Sequence, residues 1–265
     1  MHVHSKYSQD AKNYSIAELS GAALDRGLSG IAITDHFDAC YAPIGFPFYL
    51  AHEAERRADY EQACQRFDGQ IQVLWGLELG HPYQQKEISE LFLRTREFDF
   101  ILGSVHFLND GRDIYEIACK SEAEADAVFR AYFAQLLELL SFGCFDSLAH
   151  LDYPMRVMQG VLPTSSTERY REQIEPVLEA LVRQGVALEI NTRGLMDWKH
   201  RTEPEEWVLE RYRALGGKYI TFGSDAHSIK NLGGGIEKAI QIAKKAGFTH
   251  QTIFVARRPV MIPLE

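Results

Sequence analysis

Short apolar runs rich in β-branched residues alternate with longer helical patterns along the chain, and this alternation limits the fold more than any other feature. The runs lie at residues 30–34, 71–77, 98–105, 146–149, 186–190, 219–223 and 252–255. Strands that are apolar throughout are typical of parallel sheets buried on both faces, in which crossover helices join neighbouring strands. The pattern therefore predicts an α/β fold.

Helical periodicity fills the intervals between these runs. Helices are predicted at residues 15–26, 50–67, 84–95, 121–141, 166–184, 203–214 and 235–246, and Ser15 with Glu18 forms a capping box at the first of them. Because no linker, composition break or internal repeat interrupts the pattern, residues 1–265 are predicted to form a single domain. A closed or nearly closed β/α barrel fits best, with an open doubly wound sheet as the alternative. A barrel places the active site at the carboxyl ends of its strands.

Composition excludes several classes of protein. With 46% hydrophobic and 25% charged residues, the chain is neither disordered nor collagen-like. Its net charge of −9 argues against nucleic acid as a partner, because phosphate backbones bind basic faces. We expect no membrane partner, since no run reaches the roughly 18 apolar residues of a spanning helix. The four cysteines form no CxxC pair and the first residues lack an apolar signal segment, which predicts reduced thiols in a cytoplasmic protein.

Residue types that bind metals follow nearly every apolar run. In chain order, the strand ends carry Asp35, His36, Glu78, His106, His150, Glu189, Asn191, Asp225 and His227. The segment before the first run adds His2, His4 and Asp10. More than half of the ten histidines fall at these positions, and core packing does not require this. The pattern therefore predicts a metal site at the mouth of the barrel.

The spacing within this set has a geometric meaning. Residues two apart on a strand face the same side, so His2 and His4 can bind one ion, as can Asp225 and His227. Histidine and carboxylate ligands without cysteine suit zinc, manganese or iron. We interpret the remaining histidines as surface residues, namely His52, His81, His200 and His250. Of these, His81 and His200 could line the mouth of the barrel.

These motifs resemble those of the polymerase and histidinol phosphatase (PHP) family. The resemblance rests on HVH at 2–4, Asp10, TDH at 34–36, GLE at 76–78, GSVH at 103–106, AHLD at 149–152, EIN at 189–191 and GSDAH at 223–227. Their order and spacing cover essentially the whole chain. The resemblance implies a distorted seven-stranded (β/α)7 barrel with the active site at the C-terminal ends of the strands, holding up to three divalent metal ions.

The resemblance also implies which residues bind each ion. The first ion would be bound by His2, His4, Glu78 and Asp225. The second would be bound by Glu78, His106 and His150, so that Glu78 bridges the two ions. The third would be bound by Asp10, His36 and His227.

Two features of the chain depart from the family pattern. Asp10 stands where some relatives have histidine, which predicts a different metal preference or occupancy at the third site. His2 directly follows Met1, so the first strand has almost nothing upstream with which to pair. Either the chain starts further upstream, or the first two ligands lie on a frayed edge that binds its metal weakly.

A positively charged metal cluster selects small anions, and the resemblance implies hydrolysis of a phosphate monoester. Histidinol phosphate, an intermediate of histidine biosynthesis, is the expected substrate. A metal-activated hydroxide would attack phosphorus directly, since the sequence carries no serine or cysteine nucleophile motif. Asp225 or His227 is predicted to protonate the leaving oxygen.

Substrate contacts are predicted from the loops that follow the strands. Arg156 and Arg193 are expected to bind phosphate oxygens, with Arg112 as a third candidate. The candidates for binding the ammonium and imidazole groups are Asp38, Asp152, Glu189 and Asn191. Glu189 and Asn191 have a second interpretation, as residues that orient metal ligands. The apolar loop at residues 40–48 is predicted to be a lid or an interface.

Three alternative functions stay open from the sequence. A phosphoesterase of the same family could act on nucleotides, phosphotyrosine or DNA ends instead. An amidohydrolase-like barrel also opens with HxH, but it usually carries a bridging lysine on a middle strand, where this chain offers Glu78. A metal-binding scaffold without activity is the third alternative. The sequence makes no prediction of oligomeric state.

Overall fold

The computed structural model describes residues 1–40 and 46–264 of the protein. The helices there are α1 (Ile16–Asp25), α2 (Phe46–Arg66), α3 (Lys86–Arg94), α4 (Glu122–Phe142), α5 (Arg171–Gln184), α6 (Glu206–Ala214) and α7 (Ile236–Lys245). The strands are β1 (Gly30–Ile33), β2 (His36–Asp38), β3 (Gln72–Gly80), β4 (Phe100–Ser104), β5 (Ser147–Leu148), β6 (Ala187–Asn191), β7 (Ile220–Gly223), β8 (His250–Val255) and β9 (Arg258–Pro263). The predicted α/β fold is confirmed.

The main sheet is parallel and follows the chain. Its order is β1, β3, β4, β5, β6, β7, and β2 continues alongside β3 beyond the end of β1. The register pairs Ile31 with Val73 and, further along β3, Glu78 with Leu102 of β4. Strands β4 to β7 are buried along their whole length, as the continuous apolar runs predict.

The N-terminal segment closes this sheet. Val3 forms parallel bridges to Ile33 on one side and to Ala226 on the other. The amide of Thr34 donates to the Val3 carbonyl at 2.8 Å, and the amide of His4 donates to the Ala226 carbonyl at 3.0 Å. The segment therefore lies between β1 and the end of β7, and the expectation of a frayed edge is wrong because backbone bonds hold it from both sides.

The last apolar run is not a barrel strand. Residues 252–255 belong to β8, which pairs with β9 in an antiparallel hairpin apart from the main sheet. The reason is the turn, since Ala256 and Arg257 both have positive φ (48° and 63°) and two such residues favour a tight hairpin. Phe254 of the hairpin stacks on Phe100 at 5.6 Å and joins a small apolar cluster with the barrel strands.

The helices surround the sheet close to their predicted positions. The capping box of α1 is present, with the Ser15 side chain accepting from the Glu18 amide and the Glu18 side chain accepting in return. Helix α2 begins at Phe46, and residues 41–45 of the predicted lid lie outside the described residues. In the described ranges, no helix combines the length and apolar character needed to cross a membrane.

Candidate metal centre

A cavity of about 590 Å³ opens at the carboxyl ends of the barrel strands. The predicted metal ligands that line it are Asp10, His36, Glu78, His106, His150, Asp225 and His227. The other two, His2 and His4, are almost fully buried within contact of Glu78. The structure thus brings all the predicted ligands to the place where the barrel predicts an active site.

Four ligand atoms form the first set. The Nε2 atom of His2 lies 3.0 Å from that of His4 and 3.1 Å from Glu78 Oε2. Asp225 Oδ1 lies 3.6 Å and 3.4 Å from the same two nitrogens. Ligands at zinc–nitrogen distances around a tetrahedral ion are about 3.3 Å apart. His2, His4 and Glu78 therefore fit a single ion of this size, and Asp225 lies beside the two histidines.

The second set shares its carboxylate with the first. Glu78 Oε1 lies 3.1 Å from His106 Nε2 and 3.0 Å from His150 Nε2, and the two nitrogens are 3.4 Å apart. This triangle matches three corners of a tetrahedral site and leaves the fourth corner free for another ligand. Since Glu78 uses Oε2 toward the first set and Oε1 toward the second, its geometry suits a bridge between two ions.

The third set is more open than the other two. Asp10 uses one oxygen toward His36 Nε2, at 3.5 Å, and the other toward His227 Nε2, at 2.9 Å. Both histidine rings stack on the ring of His4, with centroids 4.3 Å and 4.1 Å away. The Asp10 side chain is 58% exposed, so this set lies where the centre meets solvent.

Several ligand histidines are fixed in orientation through their second nitrogen. His2 Nδ1 donates to Glu189 at 2.7 Å, and His106 Nδ1 lies 3.0 Å from Asp38 Oδ1. Such partners select the tautomer whose other nitrogen faces the metal. Asn191 donates to Glu189 at 3.1 Å and so fixes the carboxylate in turn.

Two glycines make room for these orienting carboxylates. A Cβ atom on Gly223 would lie 1.9 Å from Glu189 Oε1, and one on Gly80 would lie 1.8 Å from Asp38 Oδ1. Both distances are far inside van der Waals contact, so any larger residue would displace the carboxylate. This requirement explains glycine in the GSD motif at 223–225.

Neighbouring charges overcome the effect of burial on the carboxylates. Burial would raise the pKa of Glu78, but the ligand histidines around it hold that pKa well below its ordinary value. Burial would raise the pKa of Asp225 as well, but Arg156 and His2 hold it well below the usual range. For His4, burial together with two neighbouring histidines lowers the pKa to about 4. At neutral pH the carboxylates are ionised and His4 is neutral, the states that bind metal ions. Despite burial, the neighbouring carboxylates raise the pKa values of His2 and His36 well above the ordinary value, so metal binding at these two residues would release protons.

The predicted phosphate-binding arginines occupy three different surroundings. Arg156 lines the cavity, but its guanidinium donates to Glu203 and, at 2.7 Å, to Asp225 Oδ2. Arg193 also lines the cavity, and its buried Nη1 has no hydrogen-bond partner among the described residues. Arg112 is exposed, pairs with its neighbour Asp110 and lies outside the cavity lining.

The predicted contacts for the organic part of the substrate are also divided. Asp38 lines the cavity, next to His106. Asp152 is buried against Arg201, 2.6 Å away, and is not among the lining residues. Glu189 and Asn191 lie behind His2, where the geometry favours their second interpretation, the orientation of ligands.

One histidine that is predicted at the surface lies in the interior instead. His81 is fully buried, and its Nε2 accepts from the amides of His106 at 2.8 Å and Phe107 at 3.0 Å. Burial lowers its pKa to about 4, so it stays neutral. The residue directly follows β3, and the rule that singled out the other strand ends would have found it if the strand had been extended to Gly80.

Two further buried residues carried no sequence signal. Glu203 accepts from Arg156 and lies 3.0 Å from the Lys199 ammonium. Arg56 donates to Asp35, the first residue of the DH pair after β1, at 2.6 Å. Both contact partners that lie far away in the chain, so no local spacing predicts them.

A β/α barrel whose strand ends bring together histidines and carboxylates is typical of a class, the metal-dependent hydrolases. The model of the PHP domain matches residues 1–193 of the chain. The chain therefore belongs to the PHP family.

Relatives are found among both sequences and structures. The chain is 32% identical to a probable histidinol-phosphatase of Clostridium acetobutylicum over 97% of its own length and 96% of the relative's. It is similar to a crystal structure of histidinol phosphate phosphatase from Lactococcus lactis complexed with zinc, L-histidinol and phosphate, at 30% identity and a TM-score of 0.85, covering 98% and 97% of the two chains. A putative histidinol phosphatase from Listeria monocytogenes, 16% identical with a TM-score of 0.76 over 89% and 98% of the two chains, shares the fold.

Proposed function

We propose that the chain is a metal-dependent phosphatase that hydrolyses histidinol phosphate to histidinol and phosphate, a step of histidine biosynthesis. The observation that carries the proposal is Glu78, whose two oxygens face two ligand sets in the cavity. The structure from Lactococcus lactis, with 30% identity over nearly the whole chain, is complexed with the two products of this reaction.

We assign phosphate binding to Arg193, which lines the cavity. Divalent ions in the ligand sets would lower the pKa of a bound water and neutralise charge on the phosphate oxygens. The Arg193 guanidinium lines the cavity with a buried, unpartnered nitrogen, and we assign this donor to a phosphate oxygen. Arg156 already donates through Nε and Nη2 to Glu203 and Asp225, so its main role is to hold Asp225 in place.

The leaving oxygen needs a proton, and Asp225 is a poor source of one. Arg156 beside it, opposing the effect of burial, holds its pKa well below the usual range, so the carboxyl carries no proton at neutral pH. His227 lines the same cavity and is the better of the two candidates. Its Nε2 lies 2.9 Å from Asp10, so this atom can carry a proton for the leaving oxygen only while the third ligand set holds no ion.

The remaining wall of the cavity suits the organic part of histidinol phosphate. Asp113 and Asp38 offer carboxylates for the ammonium group, and the rings of Tyr153 and Phe107 offer faces for the imidazole. A nucleotide lacks the ammonium group and would leave one carboxylate without its partner. The wall therefore favours a small cationic alcohol as the leaving group.

We further propose three divalent ions, zinc, manganese or iron, one for each ligand set. Two groups of metal-binding side chains that share Glu78 support more than one ion, and the Lactococcus lactis structure contains zinc. We also propose that residues 1–265 act as one catalytic domain in the cytoplasm, with a small phosphate monoester as partner rather than nucleic acid or membrane. Four free cysteines agree with that location.

The test is phosphate release from L-histidinol phosphate compared with nucleotide and phosphotyrosine monoesters, using protein loaded with zinc or manganese. We expect kcat/KM for histidinol phosphate to exceed that of the others by on the order of 100-fold, since each missing polar contact is costly. His106→Ala should abolish turnover, whereas His250→Ala, in the hairpin, should not. Equal turnover of a nucleotide would overturn the substrate, and no turnover with full metal loading would overturn the enzymatic function.

A further inference from the structure

A buried arginine on an outer helix contacts Asp35, which is the neighbour of a predicted metal ligand in the chain. Arg56, on α2, is 1% exposed, and its Nε donates to Asp35 Oδ2 at 2.6 Å. Its other nitrogens donate to the Tyr49 hydroxyl at 2.8 Å and to the carbonyls of Ile33 and Gly76 at 3.1 Å and 2.8 Å. The guanidinium also lies 3.9 Å from the centre of the Trp75 ring. Its position is therefore fixed on every side.

Asp35 also contacts the N-terminal segment, which carries the first metal ligands. Its Oδ1 accepts from the Ser5 amide at 2.7 Å and from the Ser8 hydroxyl at 3.0 Å. Its Oδ2 accepts from the Ser5 hydroxyl at 2.8 Å as well as from Arg56. Asp35 itself is fully buried and is absent from the ligand sets, so its four contacts serve to hold other groups.

The directions of these bonds follow from the chemistry of the groups. A guanidinium and a backbone amide can only donate, so the Asp35 oxygens act as acceptors. The Ser8 hydroxyl has one hydrogen, which it donates to Asp35, and it can then only accept from His4 Nδ1, 3.0 Å away. His4 therefore carries its proton on Nδ1, and the lone pair of Nε2 faces Glu78 and Asp225 of the first ligand set.

We propose that Arg56 is a positioning residue for the first metal ion, acting through Asp35 and Ser8 to fix the ring and the tautomer of His4. The inference rests on the metal centre of the proposed function, but it does not depend on the substrate. On this proposal, His4 is oriented by a series of hydrogen-bonded residues that ends at Arg56 on α2. His2 is oriented by one carboxylate from β6.

The proposal is tested by zinc affinity, measured by competition with a chromogenic chelator that resolves the bound ions. Ser8→Ala and Arg56→Gln should each weaken the first ion by roughly 10- to 100-fold, the usual cost of losing a ligand's orienting partner, and leave the second ion unchanged. The double variant should lose no more than the larger single loss, because both residues act through one chain. If Arg56→Gln does not fold, Arg56→Lys, which keeps the charge, replaces it.

Arg57→Gln is the matched control, since this neighbour on α2 is 52% exposed and pairs with Glu61. It should leave the zinc affinity within twofold of the wild type. Unchanged zinc binding in Ser8→Ala would overturn the proposal, as would a double variant whose loss is the product of the two single losses. A wild-type protein that binds zinc but does not hydrolyse histidinol phosphate would contradict the proposed function and leave this proposal standing.

Discussion

The candidate metal centre has an inner and an outer part. The inner sets, which comprise the first and second ligand sets, are buried and joined by Glu78. The outer set of Asp10, His36 and His227 is 58%, 20% and 21% exposed at the side chains. Polar partners orient His2, His4 and His106 of the inner sets, whereas Asp10, the most exposed ligand, contacts the histidines of its own set.

This difference indicates that the two parts bind metal with different strength. Ligands that are held in place before binding lose little conformational entropy when the ion arrives, whereas an exposed side chain must be ordered at that moment. We therefore expect the inner sets to hold their ions permanently and the outer set to exchange its ion with solvent.

The largest loss of zinc affinity and activity is expected when the carboxylate that joins the inner sets is replaced. Glu78→Gln replaces the bridging carboxylate by a neutral amide, so both ions lose a charged ligand. Zinc affinity and kcat/KM should fall by more than the roughly 100-fold that the loss of an orienting partner costs. Glu87→Gln, an exposed change on α3, is the control. Retention of two tightly bound zinc ions in Glu78→Gln would refute the bridging role.

The next effect concerns a single ligand of the inner sets. Glu189→Gln keeps the shape of the side chain that binds His2 but removes its charge. Because His2 would lose a charged partner at 2.7 Å, the first ion should bind roughly 10- to 100-fold more weakly. Chelator competition measures this loss, and an unchanged affinity would mean that His2 is oriented by packing alone.

The buried His81, which accepts from the His106 amide of the second set, should make the protein sensitive to acid. Burial lowers the pKa of His81 from 6.5 to about 4. As the pH falls through this window, the unfolded chain binds a proton that the native state excludes, so the free energy of unfolding decreases, by about 2 kcal/mol between pH 7 and pH 5. Urea unfolding should show a shallower pH dependence in His81→Gln than in the wild type. Equal slopes would contradict a neutral, buried His81.

The smallest effect is expected at the outer set. Asp10→Asn removes one charge from an exposed side chain, where interactions with solvent replace part of what is lost. Activity should fall by less than roughly tenfold, the range of an exposed ion pair, and added metal should restore it. A loss as large as that of Glu78→Gln would abolish the distinction between inner and outer sets.

The sequence predicts that these side chains lie together because they obey a local rule. A residue at the end of a parallel strand faces the mouth of the barrel, so Glu78, His106 and His150 can be placed by position alone. The barrel itself follows from the alternation of apolar runs and helices. The capping box of Ser15 is predicted for the same reason, since it depends on residues three apart.

Two kinds of feature lie outside this rule, namely a turn that reverses the chain and contacts between distant segments. The run at 252–255 has the composition of a barrel strand. It forms a hairpin instead because the turn that follows it reverses the chain. The bonds from Arg56 to Asp35 and from Arg156 to Glu203 join segments 21 and 47 residues apart. Such pairs form only when the barrel has brought helices and loops together, so no periodicity in the chain encodes them.

The most direct test of the account is a crystal structure of the zinc-loaded protein with anomalous diffraction measured at the zinc edge. We predict two fully occupied ions bridged by Glu78, with His2, His4 and Asp225 on one and His106 and His150 on the other. A weaker third peak should lie beside Asp10. A single ion in the inner sets, or an outer ion more fully occupied than the inner ones, would contradict the account.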